Sequence, residues 1–125
     1  MERDARQELG KSGEDLACEE LRRRGYAILA RRFRTRSGEL DIVARQGETL
    51  VFVEVKARAG SRYGGGADAV TWRKRQRIVR LAHEFVARAR LPDVPCRFDV
   101  VSVAARGDGR GPMVEVYPGA FVAGE

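Results

Sequence analysis

Histidine, lysine and cysteine are all scarce in this chain, and each scarcity narrows what it can be. His83 is the one histidine, with Glu84 beside it, and reads as a surface residue. Cys18 and Cys96 lie far apart, with no Cys-x-x-Cys pair and no zinc-binding spacing, so they read as reduced, partly buried thiols. There is no run of about 18 apolar residues, which excludes a membrane-spanning helix. The stretch Met1 to Lys11 is polar and charged and lacks the apolar core of a signal peptide, so the cytoplasm is the expected compartment. Repeats and low-complexity tracts are missing too. The 125 residues suit one domain, 1–125, with 120–125 expected as a loose tail. Gly64-Gly65-Gly66 is followed by no Gly-Lys-Ser/Thr, so it is not a phosphate loop, and a mobile loop beside a site fits it better.

Acid is lacking locally. Arg22 to Gly38 holds seven arginines and no acid, and Thr71 to Arg80 holds five basic residues and no acid. Net charge is +6 and the isoelectric point about 10.0. A basic surface attracts polyanions and gains affinity by releasing their counterions. An arginine- and alanine-rich composition also arises from a GC-rich genome, so the distribution of charge carries more weight than its total.

Hydrophobic spacing predicts a helix over about 4–24, with Leu9, Leu16, Ala17 and Leu21 in phase and Gly25 as its stop. Strands follow at 26–34, 39–44 and 50–56, the last two joined as a hairpin. Thr71 caps a second helix running to about Arg90, with Ile78, Leu81, Ala82, Phe85 and Ala89 on its apolar side. Strands at 98–104 and 113–117 complete an α-β-β-β-α-β-β order. That order predicts a mixed α/β fold, a central sheet flanked by helices.

Leu50-Val51-Phe52-Val53-Glu54-Val55-Lys56 reads as a buried strand that ends in two charges, Glu54 and Lys56, on one face. Burying such charges is costly unless they are paired or bind a metal. Asp41 interrupts the other apolar run, Leu40 to Ala44. A hairpin turning at Gln46-Gly47 sets Val43 against Leu50, Asp41 against Phe52 and Glu39 against Glu54. Asp41 then lies diagonal to Glu54, about 7–8 Å away, within reach of a shared cation. The opposed pair Glu39 and Glu54 also asks for a cation between them. Mg²⁺ takes carboxylate oxygens and can lower the pKa of an attacking water. Lys56 would orient that water or offset charge on phosphorus. Of the 24 basic residues only three are lysine, the cation whose pKa shifts readily on burial. An ordinary Glu–Lys pair at a strand end is the bland alternative.

Asp41, a spacer and Glu54-Val55-Lys56 resemble the PD-(D/E)xK nuclease pattern, with Leu40 where proline often stands. Gly10-x-x-Gly13-Glu14, Gly38 to Ala44, Phe52 to Lys56 and Arg97-Phe98-Asp99-Val100-Val101, in that order, resemble the YraN-like family of bacterial proteins. The family's usual Asn-Tyr-Arg reads Arg32-Phe33-Arg34 here. The resemblance implies a restriction-endonuclease-like three-layer sandwich similar to Holliday junction resolvases, a Mg²⁺ or Mn²⁺ site at Asp41 and Glu54, and a catalytic Lys56. It also implies that Glu14 completes the site and, by analogy with resolvases, a homodimer.

Arg34, Arg36, Arg73, Lys74 and Arg75 are the candidate nucleic-acid contacts, phosphate contacts serving to position the strand. Trp72 and Tyr63 either stack on unpaired bases or pack in a core or loop. Asp99 either pairs with an arginine or binds metal. The expected function is a metal-dependent nuclease acting on DNA, with branched and single-stranded forms as candidate substrates. The rivals are an inactive nucleic-acid-binding module with the same fold and a protein-interaction domain.

Overall fold

The computed structural model describes residues 5–58 and 70–123, with side chains from residue 13 onward. Its elements are α1 (Ala5–Arg23), β1 (Ala27–Thr35), β2 (Gly38–Gln46), β3 (Thr49–Arg58), α2 (Trp72–Ala89), β4 (Cys96–Ala104) and β5 (Met113–Phe121). This is the expected order. The five strands form one sheet in sequence order; β3 and β4 are parallel and the other pairs antiparallel. The parallel pair needs a crossover, and α2 lies in it.

Strand β3 alternates strictly between two cores. Leu50 and Phe52 join Ile78, Leu81 and Ala82 of α2, whereas Val51 and Val53 join Ala17, Cys18 and Leu21 of α1. The helices therefore cover opposite faces, which gives three layers. Gly13 lets α1 close on the sheet: a Cβ there would stand 3.1 Å from that of Ala57. The close approach brings the next residue, Glu14, to the edge of the buried layer.

The hairpin between β2 and β3 turns one residue later than expected. Gln46 pairs with Thr49, and Gly47 takes a φ of +61°, suited to the first position of a type II′ turn. Val43 faces Phe52 and Ile42 faces Val53. Extended by one rung, this register sets Asp41 against Glu54 rather than diagonal to it, but the paired ladder ends at Ile42 and Val53. Glu39 does not face Glu54. It stands against Arg34, whose Nη2 lies 2.6 Å from its Oε2.

A second irregularity sits where this rung meets β1. Leu40 packs on the α2 side and Ile42, two residues on, on the α1 side. Across the ladder, Arg31 reaches Asp15 of α1 while Phe33 packs against Phe85 of α2. Both strands thus lose the alternation of faces at one rung, where Arg32 and Asp41 lie between the pairs Arg31–Ile42 and Phe33–Leu40. Arg32 accordingly has a φ of 53°. Asparagine tolerates that left-handed region far better than a β-branched residue. In urea unfolding, R32N should exceed R32V in stability by about 1–2 kcal/mol; equal midpoints would show that the position carries no strain.

Cys18 is buried, but Cys96 is exposed, contrary to the reading of both as part-buried; both are free thiols. Phe121 ends β5 and is buried, so the expected tail does not start at 120. Tyr63 and Gly64-Gly65-Gly66 lie outside the described residues. Among the described residues no helix is long and apolar enough to cross a membrane.

Candidate active site

The ladder between β2 and β3 stops at Ile42 and Val53 because the Asp41 side chain takes over. Its Oδ2 accepts the Val55 N–H at 2.7 Å. Glu54, buried on the adjacent strand, adds its charge. Burial first, and then Glu54, push the Asp41 carboxyl up to about 7; the charge of Glu14 acts in the same sense. Two carboxylates in contact cannot both ionise cheaply, so one holds a proton near neutrality.

Lys56 and Lys74 meet on the α2 side of this pair. Lys74 Nζ lies 2.7 Å from Glu54 Oε1. Burial, and then the neighbouring Lys74 ammonium, pull Lys56 down to about 8. Burial also opposes the charge on Lys74, but its bonds to Glu54 and Lys56 outweigh that and raise it. Lys74, expected as an outer phosphate contact, is therefore part of the centre. The signal was in the helix phase: residue 74 lies four before Ile78 and seven before Leu81, on the buried stripe.

Glu14 approaches from the other layer. It accepts from Arg31 Nε at 3.2 Å and from Arg32 Nε at 3.3 Å. Asp41 feels its charge, but among the described residues no three His, Cys, Asp or Glu side chains converge as a ready metal cluster. Asp41 and Glu54 form the close acidic pair, and the structure keeps Glu39 with Arg34 at the hairpin's outer end. Arg36 and Arg73 are exposed. Arg75 is engaged inside the protein, its Nε 3.0 Å from the Val70 carbonyl and its guanidinium over Phe121.

Asp99 is settled as an internal partner of arginine. Its carboxylate accepts from Arg97 Nε at 2.8 Å, the Tyr26 hydroxyl at 2.8 Å and the Gly119 N–H at 2.9 Å. A hollow of about 640 Å³ lies elsewhere, lined by Val86, Leu91, Phe98 and Phe121 and by none of the site residues.

Layering and site together define a three-layer mixed α/β protein with an acidic pair and two lysines where its central strands part. More particularly, the chain belongs to a family described as "Uncharacterised protein family UPF0102", whose model matches residues 13–103. It is 51% identical over 102 residues to a UPF0102 protein of Symbiobacterium thermophilum, covering 82% of this chain and 86% of that one. A UPF0102 protein of a Parafrankia species is 51% identical over 115 residues, covering 92% and 97%. One from Herminiimonas arsenicoxydans is 46% identical over 103 residues, covering 82% of each. The matched span includes Glu14, Asp41, Glu54, Lys56 and Lys74.

Proposed function

We propose that this protein is a Mg²⁺- or Mn²⁺-dependent nuclease that hydrolyses phosphodiester bonds in DNA. The observation that carries the reading is the contact between Asp41 and Glu54 with Lys56 and Lys74 alongside. The donor set fits a divalent cation: the oxygens are hard, and Asp41 holds a proton that such an ion would displace. A cation held by Asp41 and Glu54 would supply Lewis acidity toward a phosphate and lower the pKa of water. Lys56, with its amine pulled down to about 8, is suited to orient the attacking water and hold its proton. Lys74 neutralises Glu54 and offers an ammonium to a phosphate oxygen. Exposed Arg36 and Arg73 position the backbone through charge alone.

Incubation with linear, single-stranded and four-way-junction DNA in Mg²⁺, Mn²⁺ or EDTA tests this. Cutting should require the metal and fall by about 10²–10⁴-fold in K56A, and it should disappear in E54A. Salt-dependent DNA binding without cutting under any condition would leave a binding module. No salt-dependent binding to any nucleic acid would favour a protein-interaction domain.

A further inference from the structure

We infer that Trp72 is a stacking platform for an unpaired base next to the cleavage centre, which directs the protein to DNA with single-stranded character; this rests on the nuclease reading above. Trp72 is 64% exposed, although indole is among the groups water tolerates least at a surface. Of the core or loop packing expected as its alternative, packing in a core does not hold.

Its place on the helix gives the exposure meaning. Trp72 is the first residue of α2, and the Thr71 hydroxyl that caps the helix accepts the Lys74 N–H at 3.2 Å. The same turn carries Lys74 to within 2.7 Å of Glu54. Trp72 and Lys74 are two positions apart, so their Cα atoms lie about 5–6 Å from each other while their side chains leave different sides of the first turn, Lys74 toward Glu54 and Trp72 toward solvent. The ring therefore stands on the same helix turn that supplies Lys74 to the site, so a strand crossing the helix N-terminus can meet both.

Charge selects the occupant. The first turn of α2 contains no acid, and Arg73, next in sequence to Trp72, is exposed. The helix N-terminus adds its own positive end. An aromatic face amid cations matches a strand that offers a base and phosphates together. In an intact duplex the base faces are already stacked on one another. Frayed, branched or single-stranded DNA exposes them.

Trp72 is also the protein's single tryptophan, so its emission reports on this contact alone. The experiment titrates the whole protein, in EDTA and low salt, with oligo-dT and with a blunt duplex of equal length. Wild type should show quenching with oligo-dT and little with duplex. By anisotropy of labelled DNA, W72A should bind oligo-dT roughly 5- to 150-fold more weakly, with duplex binding nearly unchanged and W72F between the two. Unquenched emission with equal oligo-dT affinity in wild type and W72A would overturn the stacking role while leaving the nuclease reading intact. No binding of wild type to either DNA would overturn both, and would leave Trp72 as a contact for a protein partner. Circular dichroism of W72A confirms that any loss is not unfolding.

Discussion

D41N should melt at a higher temperature than the wild-type protein at pH 8 in EDTA, and at nearly the same temperature at pH 3. The unfolded chain gives up the Asp41 proton near 3.8, whereas the folded chain holds it to about 7 because of burial and then Glu54. Between those values folding takes up a proton, so each rise in pH favours the unfolded chain. Above about 7 the full penalty remains. Below 3.8 both states are protonated and the penalty vanishes. Asparagine pays nothing at any pH and its side-chain oxygen can still accept the Val55 N–H. The full shift would correspond to about 4 kcal/mol if Asp41 bore it alone. Because Asp41 is strongly coupled to its neighbours, a gain of about 2 kcal/mol at pH 8 is the expected size. The same variant should lose metal-dependent cutting, a trade of function for stability typical of sites built from strained charge. Equal melting at pH 8 would mean that the acidic pair is solvated and relaxed in the free protein.

Asp99 should behave in the opposite way. D99A is expected to lose about 3–5 kcal/mol in urea unfolding, with the denaturant slope unchanged. The carboxylate is 1% exposed, and its removal strands three donors at once. Arg97 can turn toward water, but the Tyr26 hydroxyl and the Gly119 N–H lose a buried acceptor. Burial, and then the bond to Asp99, hold the Tyr26 proton up to about 12. D99N keeps one acceptor and should cost less, about 1.5–3 kcal/mol. A loss below 1 kcal/mol in D99A would show that water replaces the carboxylate. Nothing in this network touches Asp41 or Glu54, so cutting by folded D99N should survive.

The two predictions mark different depths of legibility in the sequence. Asp99 lies in a motif with its partner Arg97, but its other partners, Tyr26 just before β1 and Gly119 of β5, lie elsewhere in the chain, and no local pattern links them to it. Asp41, Glu54 and Lys56 were readable because a charge that interrupts an apolar strand is conspicuous, and because i and i+2 share a face. The hairpin register was misjudged: Gly47 opens the turn rather than closing it. The error moved Asp41's partner by two residues, an even number, so its assignment beside Glu54 survived while Glu39 was misplaced. A slip of one would have reversed every face. Lys74 was harder to place, since three basic residues in a row disguise which one follows the buried stripe. The arginines were harder still. Arg34 and Arg75 read as free cations, and only coordinates reveal Glu39, Val70 and Phe121 as their neighbours.

The rung formed by Arg32 and Asp41 has a consequence in terms of insertion and deletion. Leu40 would alternate correctly with Ile42, and Arg31 with Phe33, if the residue between each pair were absent. Each strand therefore carries one surplus residue, and the two surpluses lie across from each other. Deleting either alone puts β1 and β2 out of step and turns apolar side chains toward the wrong layer. Deleting both restores alternation at this rung with the two cores in place and no aspartate, and leaves the separate bulge between Ile28 and Ala30 untouched. The acidic centre thus occupies a paired insertion in the sheet. The double deletion should fold where each single deletion fails.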